Sequence, residues 1–162
     1  MENFNVKKVL LVDDDKNLSD SLRMYFIETK GIFSEEQVLT ASSKAEAIQQ
    51  LEKNEDIDII ILDVVMENNT SGLEVVEYLR KKLNRAMTQI ILHTGQAGGF
   101  GQIGQQGEEL MRKYWINYFV DKSGNPDKLL FAIYAAIRSC LVHYYTKEDG
   151  CLPIDFYNLV TF

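Results

Sequence analysis

The chain has 162 residues, 46% hydrophobic and 25% charged, the balance of one globular domain with a full core. Its net charge of -7 argues against a nucleic-acid surface, which needs clustered Lys and Arg. Met1 to Lys8 is polar, without an apolar stretch of signal-peptide length, and no run approaches the ~20 apolar residues needed to cross a bilayer.

In chain order, strands alternate with helices. Lys8–Val12 reads as a strand buried on both faces. A helix follows, with Leu18, Leu22 and Phe26 at four-residue spacing; Asn17 can cap it, and Asp15 is also suited to the position before a helix. Gln37–Ala41 is a short strand. Ser43 and Glu46 have capping-box spacing, ahead of a helix whose inner face is Ala47, Ile48 and Leu51. Ile57–Leu62 is the most apolar strand and belongs near the middle of the sheet. Thr70 or Ser71 starts a helix through about Asn84, with Leu73, Val76, Leu79 and Leu83 inward. Gln89–His93 is the fourth strand. Gly95–Gly107 holds six glycines and reads as a loop. Glu108–Tyr114 is a weak helix and Ile116–Val120 the fifth strand. Pro126 suits the first turn of a last helix running to about Tyr145, striped by Leu129, Leu130, Ile133, Ile137 and Leu141. Trp115 and the tyrosines read as core or linker packing. Five βα units with short connections imply a doubly wound α/β fold: a five-stranded parallel sheet of flavodoxin-like order 2-1-3-4-5, helices on both faces.

The strand ends carry the chemistry. The first strand ends in Asp13, Asp14 and Asp15, the third in Asp63, the fourth in Thr94 and the fifth in Lys122. A carboxylate at the end of a buried strand is costly unless something pairs with it. In the order 2-1-3-4-5, strands 1, 3, 4 and 5 are neighbours, so these ends converge on one pocket. Three clustered carboxylates repel one another, and a hard cation with oxygen ligands relieves that; Mg²⁺ fits, taking one or two carboxylates, waters and a phosphoryl group. A carboxylate beside Mg²⁺ and a lysine can attack phosphorus and form an aspartyl-phosphate.

These residues resemble the receiver domain of bacterial two-component response regulators. The matches are Val9-Leu10-Leu11-Val12-Asp13-Asp14-Asp15, Leu62-Asp63-Val64-Val65-Met66 followed by Ser71-Gly72-Leu73, Thr94-Gly95, and Val120-Asp121-Lys122. The resemblance implies that Asp63 is the phosphoacceptor. It implies that Asp13 and Asp14 hold Mg²⁺ with the backbone carbonyl of Val65, that Thr94 is the switch hydroxyl and that Lys122 pairs with the phosphoryl group. Phe119 matches the aromatic that reports the state to the output face. The partners implied are a sensor histidine kinase or phosphotransfer protein, and an output domain, partner protein or second copy of the chain. Neither nucleic acid nor membrane is a partner. No catalysis is expected beyond the domain's own phosphorylation and dephosphorylation, and its place is the cytoplasm. More narrowly, His93-Thr94-Gly95-Gln96, Ile116-Asn117-Tyr118 and Ala135-Ala136-Ile137-Arg138-Ser139 look like receivers joined to HD-GYP-type cyclic-di-GMP phosphodiesterases. The receiver resemblance covers about 6–145. Residues 146–162 read as a tail, either the start of a linker or output region or a flap returning to the core.

The chain departs from the receiver pattern at Glu67, where proline is usual, and at Ser123, where a cis-proline usually follows the lysine. A cis bond before a non-proline residue costs ~3–4 kcal/mol, so Lys122–Ser123 is expected to be trans. The segment from Thr94 to Lys122 is also longer than usual. Two other readings compete. One is a receiver-like interaction module that works without phosphate. The other is a haloacid-dehalogenase-like phosphatase, which wants a second Asp where Val65 stands. Gly99-Phe100-Gly101-Gln102-Ile103-Gly104 matches GxGxxG but does not directly follow a first strand, so a mobile loop is the better reading. His93 and His143 lack partners at metal spacing, and Cys140 and Cys151 have no metal or redox spacing and read as reduced thiols.

Overall fold

A computed structural model of the chain describes residues 6–68, 70–95, 109 and 112–148, with side chains through 144. Strands β1 (Lys8–Val12), β2 (Val38–Ala41), β3 (Ile57–Leu62), β4 (Gln89–Thr94) and β5 (Tyr118–Asp121) form one sheet in the order β2-β1-β3-β4-β5. Every neighbouring pair is parallel. The flavodoxin-like order and the central place of β3 agree with the sequence reading.

Helices α1 (Lys16–Met24), α2 (Lys44–Lys53), α3 (Ser71–Glu77) and α4 (Pro126–Glu148) connect and cover the strands. Side chains alternate across a strand, so a strand covered on both faces feeds two cores. Val9, Leu11, Ile59, Ile61 and Ile91 share one core with Phe26, which follows α1, and with Leu129, Ile133 and Ile137 of α4. Leu10, Val12, Ile60, Leu62 and Leu92 share the other with Leu51 of α2 and Val75, Val76 and Leu79 around α3. The apolar run of β3 needs both.

Some local expectations change. Asp15, not Asn17, caps α1: its Oδ1 accepts from Leu18 N at 3.1 Å, because the chain stays extended through Asp15 before turning. Ser43 caps α2 through Glu46 N at 3.1 Å, but Glu46 reaches back to Ser42 N at 2.7 Å rather than to Ser43, so the box is offset by one residue. The single helix expected through Asn84 is α3 followed by a wider i→i+5 segment, Tyr78–Lys82, closed by Leu83 N to Tyr78 O at 3.1 Å. A similar segment, Tyr25–Thr29, follows α1. Asn84 then turns with φ 53°, a backbone region Asn tolerates. β5 begins at Tyr118, not Ile116, because the Asn117 side chain takes the Ile90 N–H at 2.8 Å in place of a ladder carbonyl. In α4 the buried stripe is Leu129, Ala132, Ile133, Ala136, Ile137, Cys140 and Leu141, and Leu130 is only half-buried.

Trp115 is not core. It is 61% exposed and has φ 51°. Arg80 donates to the carbonyls of both Tyr114 and Trp115 at 2.9 Å and also to those of Thr88 and Arg85. With the backbone pinned, Tyr114 is buried and the next residue points outward. Cys140 is a free, buried thiol, pushed up to about 12 by burial. The GxGxxG stretch, Cys151 and the tail from 149 lie outside the described residues, as do most of the expected Gly95–Gly107 loop and part of the Glu108–Tyr114 helix; 112–114 are helical.

Candidate functional site

Parallel pairing brings the strand ends to one level. Val12 is in register with Leu62, Leu62 with Leu92, and Thr94 with Asp121. The ladder continues past the strands: Asp13 N donates to Ala41 O at 3.1 Å, Asp63 N to Val12 O at 2.8 Å and Lys122 N to Thr94 O at 2.9 Å. Asp13, Asp63 and Lys122 are therefore fixed by the sheet itself.

Their side chains meet. Lys122 Nζ lies 2.6 Å from Asp13 Oδ2 and 2.6 Å from Asp63 Oδ2. The second oxygen of each acid is held by the backbone N–H two residues on: Asp13 Oδ1 by Asp15 N at 3.0 Å, and Asp63 Oδ1 by Val65 N at 3.1 Å. These local turns orient the carboxylates. Asp13 and Asp63 are only 5% and 6% exposed, whereas Asp14 is open to solvent. Ligand oxygens of Asp13, Asp14 and Asp63 all lie within 4.8 Å of one another.

The electrostatics favour a further cation. Burial raises the Asp13 pKa above its ordinary value, although the hydrogen bond and charge of Lys122 work the other way. Burial also opposes the Lys122 ammonium, but hydrogen bonds to Asp13 and Asp63 outweigh it and raise that pKa. One ammonium does not fully compensate Asp13, which still carries a net penalty when ionised. Oxygen ligands at this spacing are the donor set of a hard divalent ion, and they fit Mg²⁺.

The structure brings Asp13, Asp14, Asp63 and Lys122 together. Thr94 is buried at the end of β4, and its Oγ1 has no hydrogen-bond partner among the described residues. A buried orphan hydroxyl is costly and needs a reason. Phe119 is half-buried in β5 against the core on the α2–α3 side, level with Leu92. Lys122–Ser123 is trans, and Asp121 holds the turn by accepting from Ser123 N at 2.8 Å and Ser123 Oγ at 2.7 Å. Gly72 is tightly required: a Cβ there would stand 2.1 Å from Asp63 O.

Two residues take roles that the sequence did not show. His93 is 7% exposed behind the acids, beside Lys122 and Asp63, and burial pushes its pKa down to about 4. Strand alternation places it on the face of Ile91, the only signal available. Glu67 accepts from Lys44 N at 2.8 Å, a contact across 23 residues that no local pattern shows.

Among known proteins, the chain is similar to 3'3'-cGAMP-specific phosphodiesterase 2 of Vibrio cholerae, 29% identical over 139 residues. That match covers 83% of this chain but 26% of the relative, so the chain spans about a quarter of the relative's length. The fold matches a structure described as adenylate cyclase from Rhodopirellula baltica, with TM-score 0.71, 24% identity, and 88% and 95% of the two chains covered. It also matches a response regulator receiver domain protein from Clostridium thermocellum, with TM-score 0.66, 23% identity, and 84% and 98% covered. Among the described residues, no helix is long and apolar enough to cross a membrane. The family model for the response regulator receiver domain matches residues 9–134, across all the strand-end residues above, and the chain belongs to that family of two-component signalling domains.

Proposed function

We propose that this chain is a phosphoacceptor switch in which Asp63 takes a phosphoryl group from the phosphohistidine of a sensor histidine kinase or phosphotransfer protein. The observation that carries this reading is the Lys122 ammonium, 2.6 Å from both Asp13 and Asp63 at the edge of a three-carboxylate cluster. A carboxylate oxygen of Asp63 attacks phosphorus. The donor's P–N bond breaks and its electron pair returns to the imidazole. Asp13, Asp14, Asp63 and the Val65 carbonyl would hold Mg²⁺, which when bound offsets charge on the phosphoryl oxygens.

Lys122 then turns from bridging two acids to a charge-assisted hydrogen bond with the phosphoryl group. Thr94 Oγ1, buried with no partner among the described residues, gains one there. Thr94 and Phe119 carry the change to the output face. In this reading residues 6–145 are the receiver unit and 146–162 a tail or linker, working in the cytoplasm without catalysis beyond the domain's own phosphorylation and dephosphorylation. The similarity to a cGAMP-specific phosphodiesterase supports an output in cyclic-dinucleotide turnover, through an attached domain, a separate partner or a second copy.

Acetyl phosphate with Mg²⁺ should add one phosphoryl group by intact-protein mass spectrometry. Asp63→Asn keeps the shape without the nucleophile and should add none. A phosphorylated Asn variant would remove Asp63 from its role.

A further inference from the structure

We infer that Glu67 is a positioning residue for the metal site, acting as a cap on a helix from a different part of the chain; this rests on the Mg²⁺ role proposed above. The loop after β3 carries Val65, whose carbonyl would face the metal. That loop is tied down at several points. Val65 N donates to Asp63 Oδ1 at 3.1 Å, Gly72 N to Val64 O at 3.1 Å and Asn68 N to Ser71 Oγ at 3.1 Å. Met66 is buried in the α2–α3 core.

All of those ties are internal to the loop or to the core beneath it. The bond from Lys44 N to Glu67 Oε1 at 2.8 Å is of another kind. Lys44 is the first residue of α2, whose opening N–H groups have no partner within the helix. Ser43 takes the N–H of Glu46, and Glu67 takes that of Lys44. A carboxylate at a helix N-terminus is favoured by charge as well as by the bond. Lys44 Nζ also meets Glu74 Oε2 at 2.6 Å, but this is a half-exposed pair with α3, past the far end of the loop, and adds little. The cap thereby ties the segment between Asp63 and Glu67, which carries the Val65 carbonyl, to α2 before any ion arrives. Ordering a ligand in advance raises affinity by removing that cost from binding.

The test is an NMR titration with MgCl₂, following the amides of Asp13 and Val65. Glu67→Ala should weaken Mg²⁺ binding about fivefold, below the 10–100-fold typical of buried outer-shell partners because this contact is exposed. Glu67→Gln keeps an acceptor without the charge and should retain near-native affinity. Lys44→Pro deletes the donor itself. Ser43 is extended, with φ -155° and ψ 162°, the conformation that precedes a proline, and the first helical position accepts one. Lys44→Pro should match Glu67→Ala, and the double variant should be no weaker than either. Lys44→Ala, which keeps the N–H, should bind Mg²⁺ as the unaltered protein does. Loss of the cap should lower the metal-free thermal midpoint of Glu67→Ala and Lys44→Pro by a few degrees, and the rise in midpoint on adding MgCl₂ should shrink as well, whereas a merely structural role would leave that rise unchanged. Equal affinities for Glu67→Ala and the unaltered protein, a Gln variant as weak as the Ala variant, or additive losses in the double variant would overturn the inference. An unaltered protein that binds no Mg²⁺ would instead overturn the proposed function.

Discussion

His93 offers a quantitative handle on the site. It lies behind Asp63 at 7% exposure, and burial, with the Lys122 charge, opposes its protonation more than Asp63 and Asp121 favour it. Its pKa falls from 6.5 to about 4. A depressed histidine contributes stability that is fully present above the unfolded pKa and is lost as pH falls toward the folded one. The window is therefore pH 6.5 down to about 4. At 1.36 kcal/mol per pH unit, lowering the pH from 7.5 to 4.5 should cost the native state about 2.5 kcal/mol through this residue alone. Asp13 works in the opposite direction, because a raised carboxyl pKa gives stability at low pH that is lost as pH rises through the folded value. Both effects act in the unaltered protein. His93→Leu removes only the first, so the informative quantity is the difference between the two proteins. Urea unfolding followed by circular dichroism at several pH values should show the variant gaining about 2.5 kcal/mol on the unaltered protein between pH 7.5 and 4.5. A difference that stays flat with pH would mean that the imidazolium is solvated in the folded protein and that His93 is not walled off behind Asp63.

Other outcomes follow from the same geometry. Gly72→Ala places a Cβ against the Asp63 carbonyl at 2.1 Å, where only backbone movement relieves it, and should cost about 3 kcal/mol in urea unfolding. Lys122→Met leaves the buried Asp13 and Asp63 without their ammonium and should cost about 3 kcal/mol at neutral pH, with part recovered in MgCl₂ by thermal melting. Arg80→Lys cannot reach the four carbonyls of Tyr114, Arg85, Thr88 and Trp115 with one ammonium and should lose about 2–3 kcal/mol, with the fluorescence of Trp115 reporting the loosened turn.

The receiver architecture was legible because it is written in local runs. Ile57–Leu62 has almost no polar side chain, so it had to be covered on both faces, and a strand ending there had to bring Asp63 to the sheet's edge. Once strands 1, 3, 4 and 5 were neighbours, the strand ends had to come together, and Asp13, Asp63 and Lys122 are in contact there. Helix starts at Ser43 and Pro126 could be read from single residues.

Long-range contacts could not be read this way. The sequence does not say that Asn117 takes the Ile90 N–H with its side chain and delays β5, nor that Arg80 gathers four carbonyls and turns Trp115 outward. Glu67 looked like a missing proline and is a cap for α2, 23 residues away. His93 looked like an isolated histidine and is a neutral wall behind the acids. Strand and helix periodicity depends on neighbours two to four residues apart, and the chain displays it directly. Which distant backbone group a polar side chain will satisfy depends on where the packed sheet leaves an unpaired N–H or C=O, and that is decided only when the layers have closed.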